Sequence, residues 1–174
     1  MDRPISKLLF TLVLLSAAQA HAEMTYQVAP SVGNASISKP DGYNDSSYIR
    51  IDGSFHPVPQ FAANLFVASY TGFKSASGND VTIKVNGYGA GVTGRWPVHP
   101  HVHPYVRLDY MLWRAEAVSL DRTLAEDSGG SAGLALGMQF PIRGIYGVKA
   151  EFSGYNDVSG ADIRQFSLGA TFEF

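Results

Sequence analysis

From residue 46 to the C-terminus, apolar residues recur at nearly every second position, and no stretch after residue 22 approaches the ~18 consecutive apolar residues that a membrane helix requires. Period-two alternation is the pattern of a strand with two unlike faces. The closing segment states it most plainly. Phe166, Leu168, Ala170, Phe172 and Phe174 share one face, and Gln165, Ser167, Gly169, Thr171 and Glu173 share the other. Such a chain has to fold into sheet. With so many half-apolar strands, the sheet has to close on itself or cover one face.

Eight segments follow this rule, at about 24–38, 46–56, 62–74, 80–96, 104–117, 130–141, 144–155 and 163–174. In the second, Ile49, Ile51 and Phe55 oppose Arg50, Asp52 and Ser54. In the fourth, Tyr88, Ala90, Val92 and Trp96 oppose Gly87, Gly89, Gly91, Thr93 and Arg95. In the fifth, Val106, Leu108, Tyr110 and Leu112 oppose Arg107, Asp109 and Met111. In the sixth, Ala132, Leu134, Leu136, Met138 and Phe140 oppose Ser131, Gly133, Ala135, Gly137 and Gln139. In the seventh, Tyr146, Val148, Ala150 and Phe152 oppose Gly147, Lys149, Glu151 and Ser153. The third is apolar on both faces, which leaves its facing open. The first is interrupted by Pro30, which removes a ladder donor.

Short, proline-bearing connections at 56–60, 97–103 and 141–144 alternate with longer polar ones expected at 39–45, 75–78, 118–129 and 155–162. This is the layout of an up-and-down meander. Lipocalin-type barrels are apolar inside and wet outside, and membrane barrels are the reverse. Here the polar face is crowded with glycine and carries both signs of charge. It sets Arg50, Lys84, Arg95, Arg107 and Lys149 against Asp52, Asp109, Glu151 and Glu173. A cramped lumen with balanced charge suits that face better than a solvated surface. Aromatic residues fall in two groups. Phe55, Trp96, Phe140, Phe172 and Phe174 lie toward the short turns, and Tyr70, Tyr110, Trp113 and Phe152 toward the longer loops, as two interfacial girdles would. Arg107 with Asp109, and Lys149 with Glu151, share a face at i, i+2. They read as a structural ion network rather than an ion path.

The N-terminus reads as an export signal. Arg3 and Lys7 precede an apolar run from Leu8 to Ala18, and Ala20-His21-Ala22 offers a small-x-small cleavage site. Residues 1–22 are the expected signal peptide and 23–174 the expected barrel, with a cut after Ala20 as the rival.

The stretches GYGAGVTGRWPV (87–98), YVRLDYMLWRAEA (105–117), EDSGGSAGLALGMQFPI (126–142) and FSLGATFEF (166–174) together resemble the small outer-membrane β-barrel proteins of the eight-stranded OmpA-like, porin-like transmembrane domain family. The resemblance covers about 46–174. It implies an all-β, eight-stranded antiparallel up-and-down transmembrane barrel, following a cleaved signal peptide, in the outer membrane of a Gram-negative bacterium. The implied partners are outer-membrane lipids and lipopolysaccharide. A further implied partner is the barrel assembly machinery, reading the last strand through Phe166, Leu168, Phe172 and Phe174. The chain is expected to end at the barrel, without a peptidoglycan-binding domain, and to be monomeric.

Candidate chemistry is sparse. Zero cysteines exclude disulfides and thiolate metal sites, and a net charge of −2 makes no case for nucleic acid. His99, His101 and His103 alternate between Pro97, Pro100 and Pro104. They have ligand chemistry, but no carboxylate in the segment completes a set, so a stiff hydrated turn is the preferred reading. A hydrolase would need a nucleophile, a histidine base and an orienting group. His56, His99, His101 and His103 all fall at expected short turns, so no catalytic, cofactor or metal site is assigned. Arg114 and Arg164, near the loop ends, suit lipopolysaccharide phosphates or solvent equally. A structural or surface-contact role is expected, with a narrow channel as the first alternative and a lipid-modifying enzyme as the second.

Overall fold

The computed structural model describes residues 24–39, 42–75, 81–120 and 122–174. The expected signal peptide lies outside them. Eight strands, β1 (Thr25–Lys39), β2 (Ser46–Val58), β3 (Phe61–Lys74), β4 (Val81–Arg95), β5 (His103–Ser119), β6 (Arg122–Arg143), β7 (Tyr146–Val158) and β8 (Ala161–Glu173), pair antiparallel in chain order. β8 then closes on β1 to make a barrel. Closure pairs the backbone along the whole circumference, so no sheet edge faces the hydrocarbon.

The faces assigned from β2 and β4–β8 are those observed, Lys84 of β4 excepted. Leu136 and Leu168 are 54% and 57% exposed, while their strand neighbours Ala135 and Ser167 are buried in the lumen. The exposed residues form an apolar band that includes Val32, Ile51, Leu65, Val92, Leu108, Leu134 and Val148. β3 resolves once it is paired. Ala62, Asn64, Phe66, Ala68 and Tyr70 point inward, and Leu65 and Val67 point to lipid. A register shift between Tyr70 and Phe73, with Gly72 at φ +128°, then turns Phe73 into the lumen.

The seam at Pro30 holds. Pro30 faces outward opposite Ile51 of β2. On the β8 side the register runs unchanged from Val28 with Phe172 to Ser31 with Gly169, so the missing N–H costs a rung and not the alignment. Tyr26 and Phe174 exchange both backbone hydrogen bonds, at 3.0 and 2.8 Å, and lock the last residue into the wall.

Two expected loops are strand instead. β5 and β6 are joined across residues 120–121, and β6 begins at Arg122 rather than near 130. β7 and β8 are joined by Ser159 and Gly160, at φ +55° and +77°, the conformation of a tight hairpin turn. The polar run at 118–129 breaks the apolar alternation because both of its faces stand clear of the apolar band. Residues 122–128 are exposed throughout. Polarity there marks height above the membrane, not loss of strand.

Candidate functional site

Among the described residues the buried charges and hydrogen-bonding side chains concentrate in the lumen, which is filled in three layers. The middle layer is built by i, i+2 pairs from three strands spread around the barrel: Arg50 and Asp52 on β2, Arg107 and Asp109 on β5, and Lys149 and Glu151 on β7. All six are buried. Arg50 donates through Nε to Asp52 at 2.8 Å, through Nη2 to Asp109 at 3.0 Å and through Nη1 to the Tyr155 hydroxyl at 2.6 Å. That hydroxyl donates to Asp109 at 3.0 Å. Arg107 donates to Asp109 at 2.9 Å and to Glu151 at 2.7 Å, and its Nη1 lies 3.5 Å from Asp52. Tyr105 donates to Glu151 at 2.7 Å, and Lys149 to Asp52 at 2.8 Å. Three cations therefore meet three carboxylates. Buried charges are tolerable only when so paired and hydrogen-bonded.

Arg107 and Asp109 are true partners along one strand. Lys149 and Glu151 are not: Lys149 reaches across to β2 and Glu151 takes Arg107 and Tyr105. The alternation of a strand fixes which face a side chain joins; the partner depends on what crosses the lumen.

The layer toward the chain termini is polar. Arg95 donates to Glu173 at 3.2 Å, Gln139 at 3.3 Å and the Pro59 carbonyl at 3.0 Å. Between this floor and the middle layer, beside His56 and Asn64, lies a cavity of about 30 Å³, room only for water-sized molecules. His56 is not in a turn but buried in the lumen wall of β2.

The layer toward the opposite, distal end is apolar. Tyr70 donates to Gln165 at 2.9 Å, and Gln165 to Ser153 at 2.8 Å. Beyond them Phe73, Val85, Met111, Val158 and Ile163 close together. Sequence reasoning missed this layer and misplaced two aromatics. Tyr70 and Trp113 are buried in the lumen, not set at the membrane interface, and Trp113 Nε1 donates to Ser131 at 2.9 Å. Lys84, which its polarity alone groups with the lumen charges, is exposed and on the outward parity of β4 with Asn86 and Tyr88. The inward set is therefore Arg50, Arg95, Arg107 and Lys149 against Asp52, Asp109, Glu151 and Glu173, in balance.

Glycines on neighbouring strands make room for the large lumen side chains. A methyl at Gly133 would run into the Tyr155 ring, at Gly137 into Tyr105, and at Gly89 into Phe66. Phe66 in turn carries the Arg50 guanidinium 3.7 Å above its ring centroid. A glycine facing an aromatic across a strand pair was the signal, present in the sequence, that β3 turns Phe66 inward.

The histidine triplet does not converge. The His101 amide donates to His99 Nδ1 at 3.2 Å, His101 Nδ1 contacts the Pro141 carbonyl at 3.2 Å, and His103 is set apart at the start of β5. Among the described residues no group of three His, Cys, Asp or Glu side chains is placed to hold a metal ion.

An apolar outer band, a closed ring of eight strands and an ion-paired interior define an integral outer-membrane β-barrel. The profile of the outer membrane protein beta-barrel domain family matches residues 8–174, and the chain belongs to that family. Among solved structures it is similar to Neisserial surface protein A, with a TM-score of 0.67, 16% identity, and coverage of 87% of this chain and 97% of that one. It is also similar to Ail, the attachment invasion locus protein of Yersinia pestis, solved with the heparin analogue sucrose octasulfate (TM-score 0.65, 16% identity, 87% and 99% coverage). A third is the N-terminal barrel domain of Pseudomonas aeruginosa OprF (TM-score 0.64, 12% identity, 85% and 97% coverage). At these identities the likeness is one of fold. No curated protein sequence matches the chain.

Proposed function

We propose that this protein is a non-conducting barrel of a Gram-negative outer membrane, with its termini in the periplasm and its distal strands presented outside as a contact surface. The observation that carries the reading is the filled lumen. An ion entering from the periplasm meets a layer of three cations and three carboxylates whose charges already balance, and then an apolar layer that offers it no ligand. A narrow channel for small solutes needs a continuous wet path, and these two layers interrupt it. A lipid-modifying enzyme needs a base facing the outer leaflet, whereas His56, His99, His101 and His103 lie toward the terminal end.

The contact surface is the β4–β5–β6 blade. β7 first pairs with β6 at Gly133, so residues 122–132 have β5 on one side and no β-ladder on the other. Leu120 and Leu124 stand 83% and 61% exposed on it. Such an edge is suited to an extended protein segment. Among the described residues the distal strand ends carry Asp45, Glu116, Glu126, Asp127, Asp157 and Asp162 against Lys39, Lys74, Lys84, Arg114, Arg122 and Arg164, and the sequence at 40–41, 76–80 and 121 adds three aspartates. The lack of a basic excess favours a protein over a heparin-like polyanion such as the one bound to Ail. The test is a photo-crosslinking residue at Leu124 on intact cells, with Leu136 as the lipid-facing control. A defined protein adduct at 124 alone supports the reading. Lipid adducts only, at both sites, contradict it.

A further inference from the structure

We infer that the distal end of the lumen is a binding site for one small, uncharged apolar molecule, about the size of a single aromatic ring. A cavity of about 150 Å³ sits there, above the apolar layer. Its walls come from six strands: Ile37 of β1, Phe73 of β3, Ile83 and Val85 of β4, Ala115 of β5, Val158 of β7 and Ile163 of β8, with Tyr43 beside them. None of its described lining residues is charged. The Ser159 hydroxyl on the wall is committed elsewhere, donating to Asp127 at 2.7 Å, which leaves Tyr43 as the other hydroxyl there. A cavity of this size and lining stays dry and takes up benzene or xenon in other proteins.

Two further features favour a ligand over simple packing. Protein interiors are close-packed, and voids larger than a water molecule are few. This void persists because Ala115 and Ala161 stand on its wall where a larger apolar side chain would fill it. And the apolar surface lies inside the ring, where membrane lipid does not reach. On one side β4 and β5 continue beyond it to Val81 and Ser119, and on the other the β7–β8 turn at Val158–Ala161 forms its wall. That position suits a free molecule better than the face of a macromolecule. Apart from the hydroxyls of Tyr43 and Ser159 the described walls carry no polar side chain to orient a ligand, so selection is mainly by size and polarity.

The test uses the full barrel in lipid nanodiscs with isotope-labelled Ile and Val methyls, titrated with benzene. Saturable shifts are expected at Ile37, Ile83, Val85 and Ile163. Ile49 and Ile51, on the lipid face, should drift only linearly as benzene enters the bilayer. Ala115→Leu and Ala161→Leu should each fill the space and weaken the saturable response at least tenfold, with the rest of the spectrum unchanged. If one variant does not fold, the other carries the comparison. Linear drift at every methyl, or saturable shifts that survive in a folded cavity-filling variant, would overturn the inference. Either result leaves the closed lumen untouched, because that rests on the charged layer beneath.

Discussion

Glu151→Ala removes the carboxylate that holds two lumen groups at once, Arg107 at 2.7 Å and the Tyr105 hydroxyl at 2.7 Å. Breaking a buried ion pair from one side costs about 3–5 kcal/mol, because the surviving charge stays buried. Here Arg107 keeps Asp109 at 2.9 Å and a longer contact to Asp52 at 3.5 Å. The expected loss is therefore at the lower end, about 3 kcal/mol. Arg107→Ala should cost more, about 4–5 kcal/mol, since Glu151 then keeps Tyr105 as its hydrogen-bond donor while the layer gains a net negative charge. The double replacement Arg107→Met with Glu151→Leu removes both charges and refills the volume. It should recover most of the loss, since apolar groups of similar size often replace buried pairs at little cost. Urea unfolding in lipid vesicles, followed by the fluorescence of Trp113 in the lumen, gives all these numbers and the coupling between the two sites. A Glu151→Ala loss below about 1 kcal/mol, or a double variant no better than the sum of the singles, would refute the idea of a mutually dependent charged layer.

Other consequences are equally direct. Leu136→Arg places a charge on the exposed apolar band and should cost about 2–4 kcal/mol in bilayer unfolding if it lies near the midplane; a neutral result would reverse the facing of β6. Gly133→Val displaces the Tyr155 ring, and with it that hydroxyl's contacts to Arg50 and Asp109, so a loss of about 2 kcal/mol or more is expected in the same assay, against little effect for Gly53→Ala, where a methyl meets nothing. N-terminal sequencing of the membrane-extracted protein should begin at Glu23. A start at His21 would move the cut to Ala20, and a start at Met1 would contradict export by a cleaved signal.

Where one face of a strand meets lipid and the other a packed lumen, the sequence is easy to read. Within the apolar band β6, β7 and β8 alternate cleanly, and their facing there follows from any one residue in them. The same reasoning weakens where that contrast disappears. Above the apolar band both faces of β5 and β6 meet water, so the run at 118–129 lost its period and read as a loop. Lys84 lies in the corresponding part of β4. There its polarity suggested the lumen, while its parity with Asn86 and Tyr88 put it outside. Trp113 shows the complement. Its odd parity with Asp109 and Met111 placed it inside, although its height along the barrel matched an interfacial girdle. The ion partners were beyond sequence reach for a different reason. Which carboxylate Lys149 meets depends on the stagger between β7 and β2, strands that share no ladder.

The proposed role requires the lumen to be closed. Single-channel recording of the purified barrel in planar bilayers tests this with the fewest assumptions. Wild type should show no steady current beyond a small leak, and Glu151→Ala, which unbalances the charged layer, at most a weak and noisy one. A stable, porin-sized step from the wild type would contradict the filled lumen and make the protein a channel.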